Sequence, residues 1–171
     1  MHVRLVVTLP DEIKDIDPKS IFYIDETGIE TFIHREFAYS KRGTKVLGCI
    51  PGRKFKRVGV VAAMSGQSIL SPLQYDGVMD SKLFEQWFEG CLIPSLPPHS
   101  TTIMDNASFH RKKRLTSLAQ KYGHNVMFLP PYSPELNPIE QFWAWLKGKL
   151  KTVLPLHLEF DDAMRYCFNV V

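Results

Sequence analysis

The chain has 171 residues, of which 44% are hydrophobic and 23% are charged, and this composition is typical of one soluble globular domain with a real core. Its 21 basic and 18 acidic side chains leave a net charge of +3, so the total charge does not identify a partner. The apolar run within residues 1–10 is too short for a signal peptide or a membrane span. Three isolated cysteines, Cys49, Cys91 and Cys167, favour reduced thiols, and we expect a cytoplasmic protein without a membrane partner.

Residues 1–19 are expected to form a lead-in or linker, because the stretch before Pro18 is polar. Apolar or alternating runs predict strands, and turn signals separate them. Strands are expected over residues 20–25, 31–39, 58–64, 69–75, 101–104 and 125–129, with turns at 26–28, 41–43 and 65–68. Helices are expected over residues 80–93, 111–122, 138–151 and 160–170. This order, strands first and then alternating helices and strands, predicts one α/β domain over residues 20–171.

Two of the helices have apolar faces that predict core residues. The first helix, which Asp80 or Ser81 can cap, is expected to bury Leu83, Phe84, Trp87, Phe88 and Cys91. The helix over residues 138–151 is expected to bury Ile139, Phe142, Trp143, Leu146 and Leu150. Trp145 lies off this second face, so we expect it to be partly exposed.

Three acids stand at the ends of predicted elements. Asp25 ends the strand over residues 20–25, Asp105 follows the apolar run 101–104, and Glu140 lies in the first turn of the helix over 138–151. Three acids delivered by separate elements can hold two hard divalent cations between them. Such a pair of ions drives phosphodiester chemistry without a protein nucleophile.

Each acid also has a purely structural interpretation. Asp25 can be a turn former, and Glu26 is the rival for any role given to it. Asp105 can form an Asx turn or cap a helix. Glu140 can close a capping box in which Asn137 is the N-cap. The residue types alone leave these alternatives open.

Basic residues cluster at three places, residues 35–57, 110–114 and 147–151. Solvated surface is the simplest interpretation of any one cluster, but clusters beside candidate metal-binding acids favour a polyanion partner. The candidate contact residues are Arg35, Lys41, Arg42, Lys45, Arg53, Lys54, Lys56, Arg57, Arg111, Lys112, Lys113 and Arg114. His110 and His124 are expected to be surface or capping histidines, with proton transfer as the alternative role.

The most specific signal is a set of three motifs. Asp25 stands in Tyr-Ile-Asp-Glu-Thr-Gly, Asp105 in Met-Asp-Asn-Ala-Ser-Phe-His, and Glu140 in Ser-Pro-Glu-Leu-Asn-Pro-Ile-Glu-Gln-Phe-Trp. With these motifs, from about Ser20 to Lys151, the chain resembles the catalytic domain of the mariner superfamily of DDE transposases, and it looks most similar to the bacterial insertion-sequence branch. The resemblance implies that the three acids are catalytic and bind metal. It also implies a ribonuclease H-like fold of the retroviral integrase type, a mixed sheet flanked by helices.

The resemblance further implies a reaction and its partners. Two ions, Mg²⁺ or Mn²⁺, would support hydrolysis at an element end and then strand transfer into target DNA, without a covalent protein–DNA intermediate. The protein is then expected to bind element ends and target DNA as a homodimer or higher oligomer. The basic residues named above would contact DNA, as would Tyr132 and Ser133 in a proline-flanked loop. A bacterial member would be associated with the nucleoid.

Members of this family usually carry a helix-turn-helix region ahead of the catalytic domain, and only 24 residues precede Asp25. We therefore expect the second reading frame of a split gene, a fragment or a decayed copy. The alternative function is a non-catalytic fragment that acts as an interaction module with a full-length transposase. A structure-selective nuclease on the same fold is a third alternative, which the Ser-Pro-Glu-Leu-Asn-Pro-Ile-Glu segment disfavours.

Overall fold

The computed structural model describes residues 11–31, 42, 56–131, 133–156 and 159–170. Its strands are β1 (Ile21–Glu30), β2 (Arg57–Ser65), β3 (Ser68–Asp76), β4 (Thr101–Met104) and β5 (Asn125–Phe128). Its helices are α1 (Asp11–Lys14), α2 (Ser81–Trp87), α3 (Lys112–Lys121), α4 (Ile139–Val153) and α5 (Phe160–Asn169). The strand expected over residues 31–39 and the turn expected at 41–43 lie, except for Thr31 and Arg42, outside the described residues.

The five strands form one mixed sheet in the order β3-β2-β1-β4-β5. β1 pairs antiparallel with β2 and parallel with β4, and β5 extends the parallel side. The parallel register sets Tyr23 against Ile103, so Asp25, in the middle of β1, lies beside Asp105, which follows the carboxyl end of β4. In open α/β sheets, functional groups gather at the carboxyl ends of such strands.

The turn expected at residues 26–28 is not formed, and β1 continues through it to Glu30, so Asp25 lies inside this strand and does not end it as expected. The pairing with β2 extends to these residues, with Thr27 against Val60 and Gly28 against Gly59. Glycine at position 28 serves packing rather than a turn, because a Cβ there would overlap the guanidinium of Arg57. A local turn signal was therefore overridden by strand pairing, a tertiary interaction.

The hairpin expected at residues 65–68 is confirmed, with Gly66 at φ +58 between β2 and β3. β3 is an edge strand. It can therefore accommodate Pro72, since a proline has no N–H to donate to a neighbouring strand and is tolerated at the edge of a sheet. The ladder shifts register between Val61 and Ala63. Ser71 lies opposite this irregularity with φ 48, and its carbonyl accepts a 2.8 Å hydrogen bond from Nε1 of Trp87.

One face of the sheet is covered by α2 and α3. Asp80 caps α2, because its side chain accepts a 2.8 Å hydrogen bond from the backbone N–H of Leu83, as expected for one of the two candidate caps. The core here includes Phe84, Trp87, Phe88 and Leu92, all at most 1% exposed. The expectation that Cys91 is buried is wrong, because a π-helical turn over Phe88–Leu92 changes the rotation per residue and turns Leu92 inward while Cys91 is exposed.

The other face of the sheet is covered by α4 and α5. The five expected core residues of α4 are all buried and pack with α5 against Val60, Ala62 and Met64 of β2. Trp145 is 41% exposed, as its position off the apolar face predicts. A smaller cluster joins Ile13 of the lead-in segment to Ile21, Ile103 and Leu129. α4 thus packs on the face of the sheet that carries Asp25. Among the described helices, none is long and apolar enough to cross a membrane.

Candidate active site

Asp25, Asp105 and Glu140, which come from three separate elements, all line one cavity of about 420 Å³. β1 supplies Asp25, the loop after β4 supplies Asp105, and the first turn of α4 supplies Glu140. The remaining wall is formed by Asn106, Ala107, Leu129, Pro130, Pro131, Ser133 and Asn137. Residues far apart in sequence therefore converge beside the middle of β1 and the carboxyl end of β4.

Asp25 is the buried member of the set. It is 9% exposed, and its Oδ2 accepts a 3.0 Å hydrogen bond from the indole Nε1 of Trp143 on α4. Burial, together with the charges of Glu26 and Glu140, raises the pKa of the Asp25 carboxyl to about 7. Like charges held close in a partly desolvated site raise a pKa in this way, and a bound cation would relieve that repulsion.

Asp105 is more open and is held by neighbours in its own loop. Its Oδ1 accepts a 2.9 Å hydrogen bond from the backbone N–H of Ala107 and lies 3.2 Å from Nδ1 of His110. The hydrogen bond from His110 is the main cause that lowers the pKa of the Asp105 carboxyl. The Asx-type turn considered from sequence is thus formed, and the same carboxylate also lines the cavity.

His110 is buried, which corrects the expectation of a surface or capping histidine. Its side chain is 1% exposed and lies between Asp105 and Glu26, with Nε2 3.3 Å from Oε1 of Glu26. Burial alone would lower the pKa of His110, but hydrogen bonds to Asp105 and Glu26 outweigh it and raise the pKa to about 9. Glu26, the rival to Asp25, is therefore bound to His110 rather than lining the cavity.

Glu140 is exposed on the first turn of α4, and the capping box considered from sequence is not formed. Pro138 occupies the N-cap position without a side-chain hydrogen bond. The Nδ2 of Asn137 instead donates a 3.3 Å hydrogen bond to the carbonyl of Ile24 in β1. This bond ties the start of α4 to the strand that carries Asp25, so the Glu140 carboxylate is free of the cap and reaches the cavity.

The donor set suits a hard divalent cation. Three carboxylates line the cavity, and the buried amide oxygens of Asn106 and Asn137 have no hydrogen-bond partner among the described residues. As these side chains stand, no three carboxylate, imidazole or thiol groups in the described ranges are close enough together to enclose one ion. Water or substrate oxygens would complete the coordination, as is usual for Mg²⁺.

The expected DNA-contacting residues outside the run 111–114 divide into three groups. Arg35, Lys41, Lys45, Arg53, Lys54 and Tyr132 lie outside the described residues. Arg42 and Arg57 are exposed, and Nζ of Lys56 pairs with Oδ2 of Asp76 at 2.8 Å. Ser133 is 6% exposed and lines the cavity, where its Oγ donates to the carbonyl of Pro131 at 3.4 Å.

Several side chains of the basic run over residues 111–114 already have partners within the protein, so only part of its positive charge is available to bind a polyanion. Arg111 makes two 2.6 Å hydrogen bonds to the Glu85 carboxylate, and Nε of Arg114 lies 3.8 Å from the same group. Nζ of Lys112 lies 5.1 Å above the ring of Phe128. Glu85 therefore neutralises part of this cluster, which remains exposed at the surface.

Several residues at the site escaped the sequence interpretation. The pairing of His110 with Glu26 joins positions 84 residues apart, and no local pattern announces it. Trp143 was expected only as a core residue. It is indeed buried, at 1% exposed, but it also donates a hydrogen bond to Asp25. Its position three residues after Glu140, on a neighbouring part of the helix surface, was a usable signal. His124 is also buried rather than on the surface, and its Nδ1 accepts a 3.3 Å hydrogen bond from the backbone N–H of Ser100.

Comparison with solved structures shows the same fold. The chain is similar to the Mos1 transposase paired-end complex with left transposon end, with a TM-score of 0.65 and 17% identity over 80% of this chain and 44% of that one. It is similar to a Mos1 mariner paired-end complex with Mn at a TM-score of 0.63 and 15% identity, over 82% and 44% of the two chains. The simian T-cell lymphotropic virus intasome in complex with PP2A regulatory subunit B56 gamma gives 0.58 and 15%, over 88% and 47%. The expected ribonuclease H-like fold, a mixed sheet flanked by helices, is confirmed.

Among curated proteins, the uncharacterized protein y4pE/y4sA of Sinorhizobium fredii is 34% identical over 76 residues, which cover 40% of this chain and 48% of that protein. The chain thus spans less than half the length of these relatives. The family model described as DDE superfamily endonuclease matches residues 20–158, which is most of the chain. On this match, the chain belongs to the DDE superfamily of endonucleases.

Proposed function

We propose that this chain is the catalytic domain of a mariner-type transposase, of the bacterial insertion-sequence branch, which cleaves DNA strands and transfers them to a target. The observation that carries the proposal is the convergence of Asp25, Asp105 and Glu140 on one cavity of a DDE superfamily fold. We assign the domain to residues 20–171, with residues 1–19 as a lead-in. In a bacterial cell the DNA substrate would place the protein at the nucleoid.

The three acids would hold two divalent cations, Mg²⁺ or Mn²⁺. Solved Mos1 paired-end complexes with Mn and with Mg support this choice of metal. When bound, the ions would activate a water or a 3′-hydroxyl and stabilise the leaving oxygen of the phosphodiester. The protein's own contribution is to fix the carboxylates, since Trp143 donates to Oδ2 of Asp25, and the N–H of Ala107 donates to Oδ1 of Asp105 while His110 lies beside that oxygen.

DNA, as element ends and target, is the proposed substrate. Exposed basic residues such as Arg42, Arg57 and Lys113 would contact phosphates, which position a duplex without reading its sequence. Ser133 at the cavity wall and Tyr132, the residue before it in the sequence, would contact the DNA backbone near the scissile bond. We further propose that the protein acts as a homodimer or higher oligomer, as the paired-end Mos1 complexes suggest.

A plasmid-nicking assay tests the function. The protein is incubated with supercoiled DNA in Mg²⁺, in Mn²⁺ and in chelator, and the Asp105→Asn variant is compared with Asp161→Asn, a control acid exposed on α5. We expect metal-dependent nicking that Asp105→Asn abolishes and Asp161→Asn retains, because the cations require the Asp105 charge. Equal nicking in chelator, or by Asp105→Asn, contradicts the mechanism. A chain that binds no Mn²⁺ in calorimetry would instead be the non-catalytic interaction module.

A further inference from the structure

His110 bridges two carboxylates, one from strand β1 and one from the loop after β4. Its Nδ1 lies 3.2 Å from Oδ1 of Asp105, and its Nε2 lies 3.3 Å from Oε1 of Glu26. Glu26 follows Asp25 directly in β1 and is bound on the opposite face of that strand. The bridge thus connects the strand that carries one cavity acid to the loop that carries another.

The imidazole of His110 is buried and packed between aromatic side chains. Its side chain is 1% exposed, and its ring centroid lies 4.4 Å from that of Phe84 and 4.5 Å from that of Phe109. The backbone around it is held as well, because the Oγ of Ser81 at the start of α2 donates a 2.7 Å hydrogen bond to the carbonyl of Phe109. Packing from α2 therefore fixes the ring before any ligand binds.

The bridge determines which oxygen of Asp105 is available. The backbone N–H of Ala107 donates to Oδ1 of Asp105. Nδ1 of His110 forms a 3.2 Å hydrogen bond with the backbone carbonyl of Asp105 and also lies 3.2 Å from Oδ1. The other oxygen, Oδ2, is left for the cavity that Asp105 lines. A carboxylate gripped at one oxygen presents the other in a defined direction, which is what a metal ligand needs.

We propose that His110 is a positioning residue for Asp105, and that Glu26 positions His110 in turn. The inference rests on the proposed function and assigns the bridge its part in it, which is to orient the Asp105 carboxylate for a divalent cation. A role for His110 in proton transfer to substrate is disfavoured, because both ring nitrogens face carboxylates and the ring is sealed by two aromatic side chains.

Two substitutions at position 110 separate the two ends of the bridge. In His110→Asn, the side-chain amide nitrogen takes the place of Nδ1 and keeps the bond to Asp105. In His110→Gln, it takes the place of Nε2 and keeps only the bond to Glu26. His124→Gln is the matched control, since His124 is also buried but does not line the cavity. Thermal unfolding without metal reports the structural cost of each substitution.

The readouts are Mn²⁺ affinity by calorimetry, nicking rate at saturating DNA, DNA affinity, and the crystal structure of each variant. Outer ligand partners typically contribute 10- to 100-fold to metal affinity or activity, so we expect His110→Gln to lose about tenfold or more in Mn²⁺ affinity and rate, with unchanged DNA affinity. We expect His110→Asn to recover most of both, and His124→Gln to change only the melting temperature. In the His110→Gln crystal, the Asp105 carboxylate is expected to turn.

The inference is overturned if the two variants at position 110 lose stability equally while Mn²⁺ affinity stays at the wild-type value, or if Asp105 keeps its orientation in the His110→Gln crystal. The proposed function fails separately, in the wild type, if that protein binds no Mn²⁺ and nicks no DNA. A turned Asp105 in His110→Gln would in that case still support the positioning role.

Discussion

The indole Nε1 of Trp143 donates a 3.0 Å hydrogen bond to Oδ2 of Asp25, and this bond joins α4 to the central strand of the sheet. Glu140 lies one turn earlier on the same helix, where its carboxylate reaches the cavity. The helix therefore supplies one acid and holds another. The buried face of α4 packs against β2, where Trp143 and Leu146 are at most 1% exposed. This packing fixes the position of Glu140 relative to Asp25.

The first prediction concerns this bond. Trp143→Phe keeps an aromatic ring in the core but removes the donor to Asp25 and leaves a small cavity. We expect the free energy of unfolding to fall by about 2–4 kcal/mol, and the metal concentration needed for nicking to rise. Urea denaturation measures the first and a Mn²⁺ titration the second. Trp145→Phe, at a side chain 41% exposed, is the control and should cost less than about 1 kcal/mol; equal costs at the two positions would contradict the prediction.

The second prediction concerns Asn137, whose Nδ2 bonds the carbonyl of Ile24 at 3.3 Å. Asn137→Ala leaves that carbonyl without this donor and loosens the first turn of α4. We expect a loss of about 1–2 kcal/mol in the free energy of unfolding and weaker Mn²⁺ binding, because Glu140 stands on that turn. Asn125→Ala, at an exposed position in β5, should change neither. Wild-type Mn²⁺ affinity in Asn137→Ala would show that this tie does not position Glu140.

The third prediction tests whether the guanidinium of Arg57 contacts DNA from its position over Gly28. A methyl group at Gly28 would overlap Arg57, so Gly28→Ala displaces the guanidinium while the charge remains. We expect Gly28→Ala and Arg57→Ala each to weaken binding to a duplex by roughly three- to tenfold at about 0.1 M salt, the contribution of about one phosphate contact. Fluorescence anisotropy measures this effect.

Gly148→Ala is the control for that substitution, because a Cβ at Gly148 meets open space. It should leave DNA affinity unchanged and raise the free energy of unfolding by about 0.5–1 kcal/mol, the usual gain for alanine over glycine inside a helix. If Gly28→Ala binds DNA like the wild type, the position of the Arg57 guanidinium over Gly28 is not needed for binding. Arg57 would then contribute only through its charge.

The fourth prediction concerns the mode of DNA binding by this chain. Interactions with phosphates alone are nearly independent of sequence and weaken steeply with salt, because bound counterions are released. Replacing Arg53, Lys54, Lys56 and Arg57 with Ala should lower affinity for two unrelated duplexes alike and reduce the salt slope by roughly one for each phosphate that is no longer neutralised. Lys121→Ala is the control, since Lys121 pairs with Glu89 at the far end of α3. A strong preference for one duplex that persists at high salt would reveal a sequence-reading element.

The interpretation of the sequence was most accurate where the physics is local. The short strands β4 and β5, the hairpin at Gly66 and the apolar face of α4 follow from alternation, turn chemistry and helical periodicity. It failed where a distant partner competes with a local signal. A turn was expected near Gly28, but these residues form strand because they pair with β2. Asn137 was expected to cap α4, but its side chain donates to the carbonyl of Ile24 instead.

The sequence by itself determined the end of β4 and the start of α4, because an apolar run and a helix start set them through local propensity. It placed Asp25 correctly in a buried strand but wrongly at that strand's end. The motifs around Asp25, Asp105 and Glu140, through their resemblance to a known family, predicted these acids as one set. Only the tertiary structure decided how these acids are held. His110 meets Glu26 across 84 residues, and Trp143 meets Asp25 across 118. Such pairings depend on strand register and on the packing of helices against the sheet, which no local pattern of residues encodes.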